Sequence, residues 1–272
     1  MQFDFSLERN IMLTEVAKQE FANGAVYALR TEDGFLIETT DTFLPYYTKD
    51  AIGRKQNKLS SLDIGSRRER WMIGVSTMSG CCVGCKFCAT GNMKKCRNLT
   101  AQEMIEQVEF VLAKNSSFHP DDSEEFKINW TRMGEPFLNI DNVRQAITLL
   151  DSKYTIHQYI STIGIKGADF SWIKNNITLQ ISLHSLDNGR RNNLIPFKNK
   201  MTIEELGQIR TQSNLKTTVN MTLVDYKDFD INRLKTLFDP TYFFIKLSPI
   251  NPNAISDKNH MSVGLVEGIN LL

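Results

Sequence analysis

The stretch Cys81-Cys82-Val83-Gly84-Cys85-Lys86-Phe87-Cys88 contains three cysteines spaced C-x3-C-x2-C. Three thiolates from one short loop can each bind a different iron of a cubane iron–sulfur cluster, whereas purely electron-transferring clusters normally use four. The fourth iron then stays open to substrate or cosubstrate, like the open position of a catalytic metal site. The spacing therefore predicts a reactive [4Fe-4S] cluster held by Cys81, Cys85 and Cys88.

A zinc site is the alternative interpretation of these cysteines. Cys82 to Cys85 and Cys85 to Cys88 both read C-x2-C, and Cys96 adds a fourth sulfur. Zinc knuckles usually consist of two separated pairs, however, and the sequence has no second pair. A disulfide framework is disfavoured because all five cysteines crowd into positions 81–96. Cys82 is interpreted as a packing residue, and Cys96 as a bystander or an occasional fourth ligand.

Length and charge indicate one catalytic domain, or one domain with an appendage. The 272 residues, 41% of them hydrophobic, can bury a sizeable core. A net charge of +1 argues against strong non-specific attraction to nucleic acid. No membrane partner is expected, because no apolar stretch reaches the ~18 residues of a span and the start MQFDFSLERN lacks signal-peptide character. Reduced thiols and an oxygen-sensitive cluster indicate the cytoplasm.

From about Met72 onward, short apolar segments alternate with helical patterns. Capping-box pairs at Thr100/Glu103 and Thr202/Glu205 begin two of the helices. A third helix is indicated by apolar residues at helical spacing, namely Val143, Ala146, Ile147 and Leu150. The predicted strands are 72–76, 126–130, 158–161, 179–183, 217–224 and 243–247. Six such repeats predict an α/β fold, a partial (β/α)6 barrel over residues 72–272.

Residues 1–71 are predicted to form a separate N-terminal extension. Strand-like segments at 25–30 and 35–40 flank the turn Glu32-Asp33-Gly34, which is a hairpin pattern. Residues 49–70 carry seven basic and three acidic side chains. This basic loop is interpreted either as a solvated loop or as a flap over an anionic or nucleotide substrate.

Unusual loop residues follow five of the six predicted strands. After the cysteine loop come Gly134-Glu135-Pro136, Ser161-Thr162-Ile163-Gly164, Ser182-Leu183-His184 and Pro249-Ile250-Asn251-Pro252. Parallel βα architectures carry their active sites at the carboxyl ends of the strands. We therefore expect these loops to form a single site.

The segments Val75-Ser76-Thr77-Met78-Ser79-Gly80-Cys81 and Phe87-Cys88-Ala89-Thr90-Gly91 resemble the radical SAM enzymes, and among them the RlmN/Cfr branch of RNA adenine methyltransferases. The resemblance covers about residues 72–252. It implies a [4Fe-4S] cluster and S-adenosylmethionine (SAM) as cofactors, with a flavodoxin- or ferredoxin-like reductant as a partner. It also implies a SAM site whose amino group is received by Gly134 and Glu135 and whose other lining residues are Ser161, Ser182, Leu183, His184 and Asn251.

The chain departs from this family at its two relay cysteines. The resemblance places the first at Gly74 and the second beyond Pro252, but no cysteine follows Cys96. If the chain is complete, methylation through the relay is chemically unavailable, and no catalytic residue is assigned.

Three functions follow from this departure. The leading hypothesis is a radical SAM enzyme that cleaves SAM to a 5′-deoxyadenosyl radical and abstracts hydrogen from a nucleotide-like or other small substrate, with RNA disfavoured. The alternative is an RNA adenine methyltransferase whose relay cysteines lie outside this chain. The third is an inactive homologue that binds SAM or RNA.

Overall fold

A computed structural model describes residues 13–46, 48–49, 55–56, 64–93, 95–223, 229–250 and 253–261. Within these residues, nine strands lie side by side in chain order in one sheet. The strands are β1 Thr14–Phe21, β2 Gly24–Arg30, β3 Leu36–Leu44, β4 Arg70–Gly74, β5 Glu125–Trp130, β6 His157–Thr162, β7 Ile177–Ser182, β8 Thr217–Leu223 and β9 Phe243–Pro249. Two-residue strands also pair Met78–Ser79 with Arg97–Asn98 and Thr48–Lys49 with Lys55–Gln56.

The strands β4 to β9 are parallel, each to the next along the chain. The helices between and after them are α1 Ala101–Lys114, α2 Ile140–Asp151, α3 Asn188–Leu194, α4 Ile203–Gly207, α5 Ile231–Leu237 and α6 Ala254–Lys258. Both capping boxes form, at Thr100 before α1 and at Thr202 before α4. The predicted α/β fold with six parallel strands is confirmed.

The two faces of the parallel sheet differ in polarity. Ile128, Ile160 and Ile181 are fully buried and share one core cluster with side chains of α1 and α2. Their neighbours along the strands, Ser161 and Gln180 among them, are polar and only half-buried. Because side chains alternate across a strand, the second face is a polar surface opposite the core. The carboxyl edge of this surface is where the candidate site lies.

The N-terminal hairpin continues the same sheet. β2 pairs with β3 as predicted, and β3 pairs antiparallel with β4. Asp41 of β3 fixes this junction, because its buried carboxylate accepts hydrogen bonds from Trp71 Nε1 at 2.7 Å, Arg67 Nη2 at 2.5 Å and Asn115 Nδ2 at 3.0 Å. The additional strand β1 was not predicted, because nearly all of its side chains are exposed and it lacks the apolar alternation of a half-buried strand.

Two of the sequence predictions concern the boundary near residue 72 and the basic loop. The division of the chain at residue 72 stays a prediction, and most of the basic loop 49–70 lies outside the described residues. Among the helices that are described, none is long and apolar enough to cross a bilayer.

Candidate functional site

The cysteine loop begins just beyond β4. The pairing of Ser79 with Arg97 fixes its first end. Gly80 and Gly84 then adopt φ values of +78° and +72°, a region that residues with a Cβ rarely occupy. A Cβ on Gly80 would also lie 2.4 Å from the carbonyl oxygen of Lys95. The tight course of the loop therefore depends on glycine at these positions.

Polar contacts from two helices hold the far end of the loop. Lys86 N donates to the carbonyl of Leu194, the last residue of α3, at 2.9 Å. Two side-chain amides that flank α6 also bind the loop. Asn253 Nδ2 donates to Phe87 O at 3.1 Å, and Asn259 Nδ2 donates to Lys86 O at 2.6 Å. The loop is thus anchored by the protein's own hydrogen bonds.

The three predicted ligands lie close together in this loop. Cys81, Cys85 and Cys88 are all half-buried and unbonded to one another. Burial, with a further contribution from the neighbouring Cys88, raises the pKa of Cys81 to about 12, and burial with both neighbours raises the pKa of Cys85 as well. The thiols of Cys81 and Cys85, when free, are therefore protonated at neutral pH, and binding to a metal would deprotonate them.

The donor set of this loop fits an iron–sulfur cluster. In a cubane each thiolate binds a separate iron, so three cysteines of one loop can hold three of the four irons. Among the described residues, no group of three His, Cys, Asp or Glu side chains is placed to hold a single metal ion. The assignment of Cys81, Cys85 and Cys88 as cluster ligands stays a prediction.

The remaining two cysteines lie together. Cys82 and Cys96 are both exposed, and they lie close enough that the Cys96 thiol adds to the effect of burial in raising the pKa of Cys82. The interpretation of Cys82 as a packing residue is therefore wrong. Its place in the loop turns its thiol toward solvent and toward the strand that precedes α1.

The Gly134-Glu135 loop faces the cysteine loop. Gly134 has φ of +104°, and a Cβ there would lie 2.7 Å from the Cβ of Met78. The buried Glu135 carboxylate caps the 3-10 helix Pro136–Leu138, since Oε1 accepts from Phe137 N at 3.1 Å. Its Oε2 accepts from Ile163 N at 2.9 Å. Glu135 thereby joins the loops that follow β5 and β6. The amino-acid sequence alone did not predict this structural role.

Burial also changes the chemistry of Glu135. It raises the pKa of this carboxyl to about 7, against the opposing effect of hydrogen bonds from Thr162, Ile163 and Phe137. The group is therefore divided between both forms near neutral pH. A cation bound beside it would favour the carboxylate.

Three of the other predicted SAM-site residues lie at the ends of β6 and β7. The hydroxyls of Ser161 and Ser182 are 3.5 Å apart on the half-exposed polar face. Leu183 is fully buried, and its N–H donates to Asn220 O at 3.0 Å, so its side chain belongs to the core. Asn251 lies outside the described residues.

His184 links the cysteine loop to β8. It is buried with φ of +62°, its Nδ1 accepts from Thr222 N at 3.0 Å, and its ring meets Phe87 edge-on with centroids 4.7 Å apart. Burial, with the nearby Arg191 cation, lowers the pKa of His184 to about 3. The ring is therefore neutral, with its proton on Nε2.

The expected position of the first relay cysteine is filled by neighbouring side chains. Gly74 N donates to Thr40 Oγ1 at 3.0 Å, and a Cβ on Gly74 would lie 2.3 Å from that oxygen and 3.4 Å from Arg132 Cγ. Arg132 Nη2 in turn pairs with Glu38 Oε2 at 2.5 Å. Sequence reasoning missed Arg132, although its place just after β5 was a usable signal.

Comparisons with known proteins agree with this geometry. No family model matches the chain. The dual-specificity RNA methyltransferase RlmN of Helicobacter hepaticus is 32% identical over 202 residues, 70% of this chain and 53% of that protein. The probable dual-specificity RNA methyltransferase RlmN of Chlorobium phaeobacteroides is 29% identical over 93% of this chain and 72% of that protein. The crystal structure of a radical SAM methyltransferase from Sphaerobacter thermophilus superimposes with a TM-score of 0.64 at 24% identity, covering 89% of this chain and 68% of that one.

The parallel sheet and the cysteine loop at its carboxyl edge, with these relatives, define a radical SAM protein. Within that class the chain is RlmN-like. It spans about half the length of the first of these curated relatives.

Proposed function

We propose that this chain is the catalytic part of a radical SAM enzyme that acts on an adenine base of RNA. The observation that carries the proposal is the approach of two loops from different strands. Burial is the main cause of the raised pKa of Cys81 and Cys85, and Glu135 lies near enough to both thiols for its charge to add to that shift. The names of the RlmN relatives favour RNA over the small substrate that the sequence had suggested.

The proposed roles follow from the chemistry of each side chain. Cys81, Cys85 and Cys88 would hold a [4Fe-4S] cluster, which would supply one-electron reduction of SAM with electrons from a flavodoxin- or ferredoxin-like donor. Glu135 keeps acceptor capacity beyond its two backbone bonds, so it can receive the SAM ammonium group.

Other parts of the chain complete the proposed SAM site and its setting. Hydroxyls of Ser161 and Ser182 offer hydrogen bonds, His184 positions the cysteine loop through Phe87, and Asn251 is retained from the resemblance. We assign the catalysis to residues 72–272. The cytoplasm is the proposed location, because an oxygen-sensitive cluster needs a reducing compartment.

A second candidate function is hydrogen abstraction without methyl transfer. Its support is local: Thr40 and Arg132 fill the space where a cysteine side chain at position 74 would lie. Methyl transfer through a cysteine relay would require a resolving thiol from another segment or another protein.

Product analysis distinguishes the two functions. The reconstituted protein would be incubated anaerobically with dithionite, SAM and ribosomal RNA, with Cys85→Ala as the inactive control. We expect S-adenosylhomocysteine together with methyladenine in the RNA digest, provided that the relay thiols are supplied from outside these 272 residues. 5′-Deoxyadenosine without S-adenosylhomocysteine would favour the second candidate. If a protein with an intact cluster forms neither product, both are contradicted.

SAM affinity is expected to rise roughly fivefold or more between pH 6 and 7.5. The ionised fraction of a carboxyl whose pKa is about 7 grows from about a tenth to about three quarters over this range, and only that form attracts an ammonium group. Titration calorimetry in two buffers of different ionisation enthalpy would measure the affinity and the accompanying proton release.

The matched control for this titration is Glu135→Gln. Its amide has no charge at any of these pH values, so SAM affinity should fall by about 1.5–3 kcal/mol and lose its pH dependence. A pH dependence that persists in Glu135→Gln would assign the titration to another group.

A further inference from the structure

Cys82 and Cys96 are brought together by the backbone on which they lie. Antiparallel pairing of Met78–Ser79 with Arg97–Asn98 sets the two segments side by side. At the turn that follows, Cβ of Cys96 lies 3.2 Å from where a Cβ on Gly80 would be. Both thiols are exposed, and burial together with the neighbouring Cys96 thiol raises the pKa of Cys82. Cys96 directly precedes the paired Arg97, and Cys82 follows the paired Ser79 by three residues, so the main chain brings the two cysteines near each other.

These two thiols also stand outside the proposed ligand set. The chain has five cysteines, and a cluster bound by Cys81, Cys85 and Cys88 would occupy the other three. Adjacent, solvent-accessible thiols are the ones open to thiol–disulfide exchange. That Cys82 and Cys96 are the two thiols left free for exchange rests on the proposed function, in which the other three bind a cluster. The proximity of Cys82 to Cys96 does not depend on a cluster.

We propose that Cys82 and Cys96 form a reversible disulfide that closes segment 82–96. This segment contains Cys85 and Cys88, so the bond would join its two ends around two of the three cluster ligands. Disulfides of cytoplasmic proteins are mostly transient and responsive to redox conditions. The Cys82–Cys96 disulfide would therefore form or break with the redox conditions and would close the cysteine loop when formed; we call it the clip.

The reaction consumes a low-molecular-weight disulfide such as oxidised glutathione. The thiolate of one cysteine attacks a glutathione sulfur, forming a mixed disulfide and releasing one glutathione thiolate. The second cysteine then attacks the protein sulfur of this mixed disulfide, forming the Cys82–Cys96 bond and releasing the second glutathione. The two protein thiols lose two electrons and two protons, and these reduce one glutathione disulfide to two thiols.

The bond can be tested without a cluster in the triple variant Cys81→Ala/Cys85→Ala/Cys88→Ala, which retains only Cys82 and Cys96. After oxidised glutathione, its intact mass should be about 2 Da lower, the loss of two hydrogens. Tryptic mapping should recover the two cysteines in one linked peptide pair. The same variant carrying Cys82→Ser or Cys96→Ser should instead hold one glutathione. Two free thiols remaining in the triple variant would overturn the proposal.

The clip is tested on the complete protein with its cluster. Treatment with oxidised glutathione should remove the two titratable thiols and slow iron release to a chelator by roughly tenfold, since closing a loop of this length restricts the opened chain. Equal iron release from oxidised and reduced protein would overturn the clip. If the protein fails to assemble a brown cluster, this is seen before glutathione is added. That result would contradict the proposed function and not the disulfide.

Discussion

Replacing Cys81, Cys85 or Cys88 with Ala is expected to abolish the brown cluster absorbance and SAM cleavage together. The half-buried trio supplies three separate ligands, and removal of one leaves the cubane without adequate ligation. The helix contacts to Lys86 and Phe87 do not involve these thiols, so each variant should still fold. Absorbance after anaerobic reconstitution, iron content and 5′-deoxyadenosine formation are the measurements.

The matched controls are the two cysteines outside the trio. Cys82→Ala and Cys96→Ala should retain both the absorbance and SAM cleavage, because their thiols are exposed and contact one another. A colourless Cys96→Ala protein beside a brown Cys81→Ala protein would show that the ligand assignment is wrong. That outcome would restore Cys96 as a ligand.

Arg191→Ala should lower the free energy of unfolding by about 3 kcal/mol or more, because each hydrogen bond from a charged donor contributes roughly 1.5–3 kcal/mol. The buried guanidinium donates from Nη1 to Met201 O at 2.7 Å and from Nη2 to Ile163 O at 2.6 Å. Burial lowers the pKa of Arg191 to about 10, with Cys85 opposing the shift, so the group stays charged at neutral pH. Urea denaturation of the apoprotein would measure the loss.

The exposed Arg144 provides the control for the stability loss expected of Arg191→Ala. Arg144 lies on the outer side of α2 with its guanidinium 5.2 Å from the ring centroid of Trp172, and Arg144→Ala should cost less than about 1 kcal/mol. Arg191→Lys should fall between the two, since one ammonium cannot span both carbonyls as a planar guanidinium does. Similar losses for Arg191→Ala and Arg144→Ala would contradict the bridging role of Arg191.

Much of the fold could be predicted because its signals are local. The six parallel strands are short apolar segments, and the capping boxes at Thr100 and Thr202 each lie within four residues. The first parallel strand was predicted at 72–76 but spans Arg70–Gly74. Beyond it, Ser76 N donates to Gln107 Oε1 at 2.8 Å, a contact with α1 that replaces strand pairing. Residue type alone does not reveal such a change of partner.

The sequence by itself determined the cysteine spacing, and hence which thiols one cluster can bind, because three ligands within eight residues can reach a common cofactor in almost any loop. It also indicated the edge of the sheet at which the loops meet, since parallel βα units share that edge.

Only the tertiary structure decided the partners within the site. Glu135 binds Ile163 N, Thr40 fills the space beside Gly74, and Cys82 meets Cys96. Each contact joins segments separated along the chain, so it depends on strand register and on the path of a loop. Neither is encoded in the spacing of any single motif.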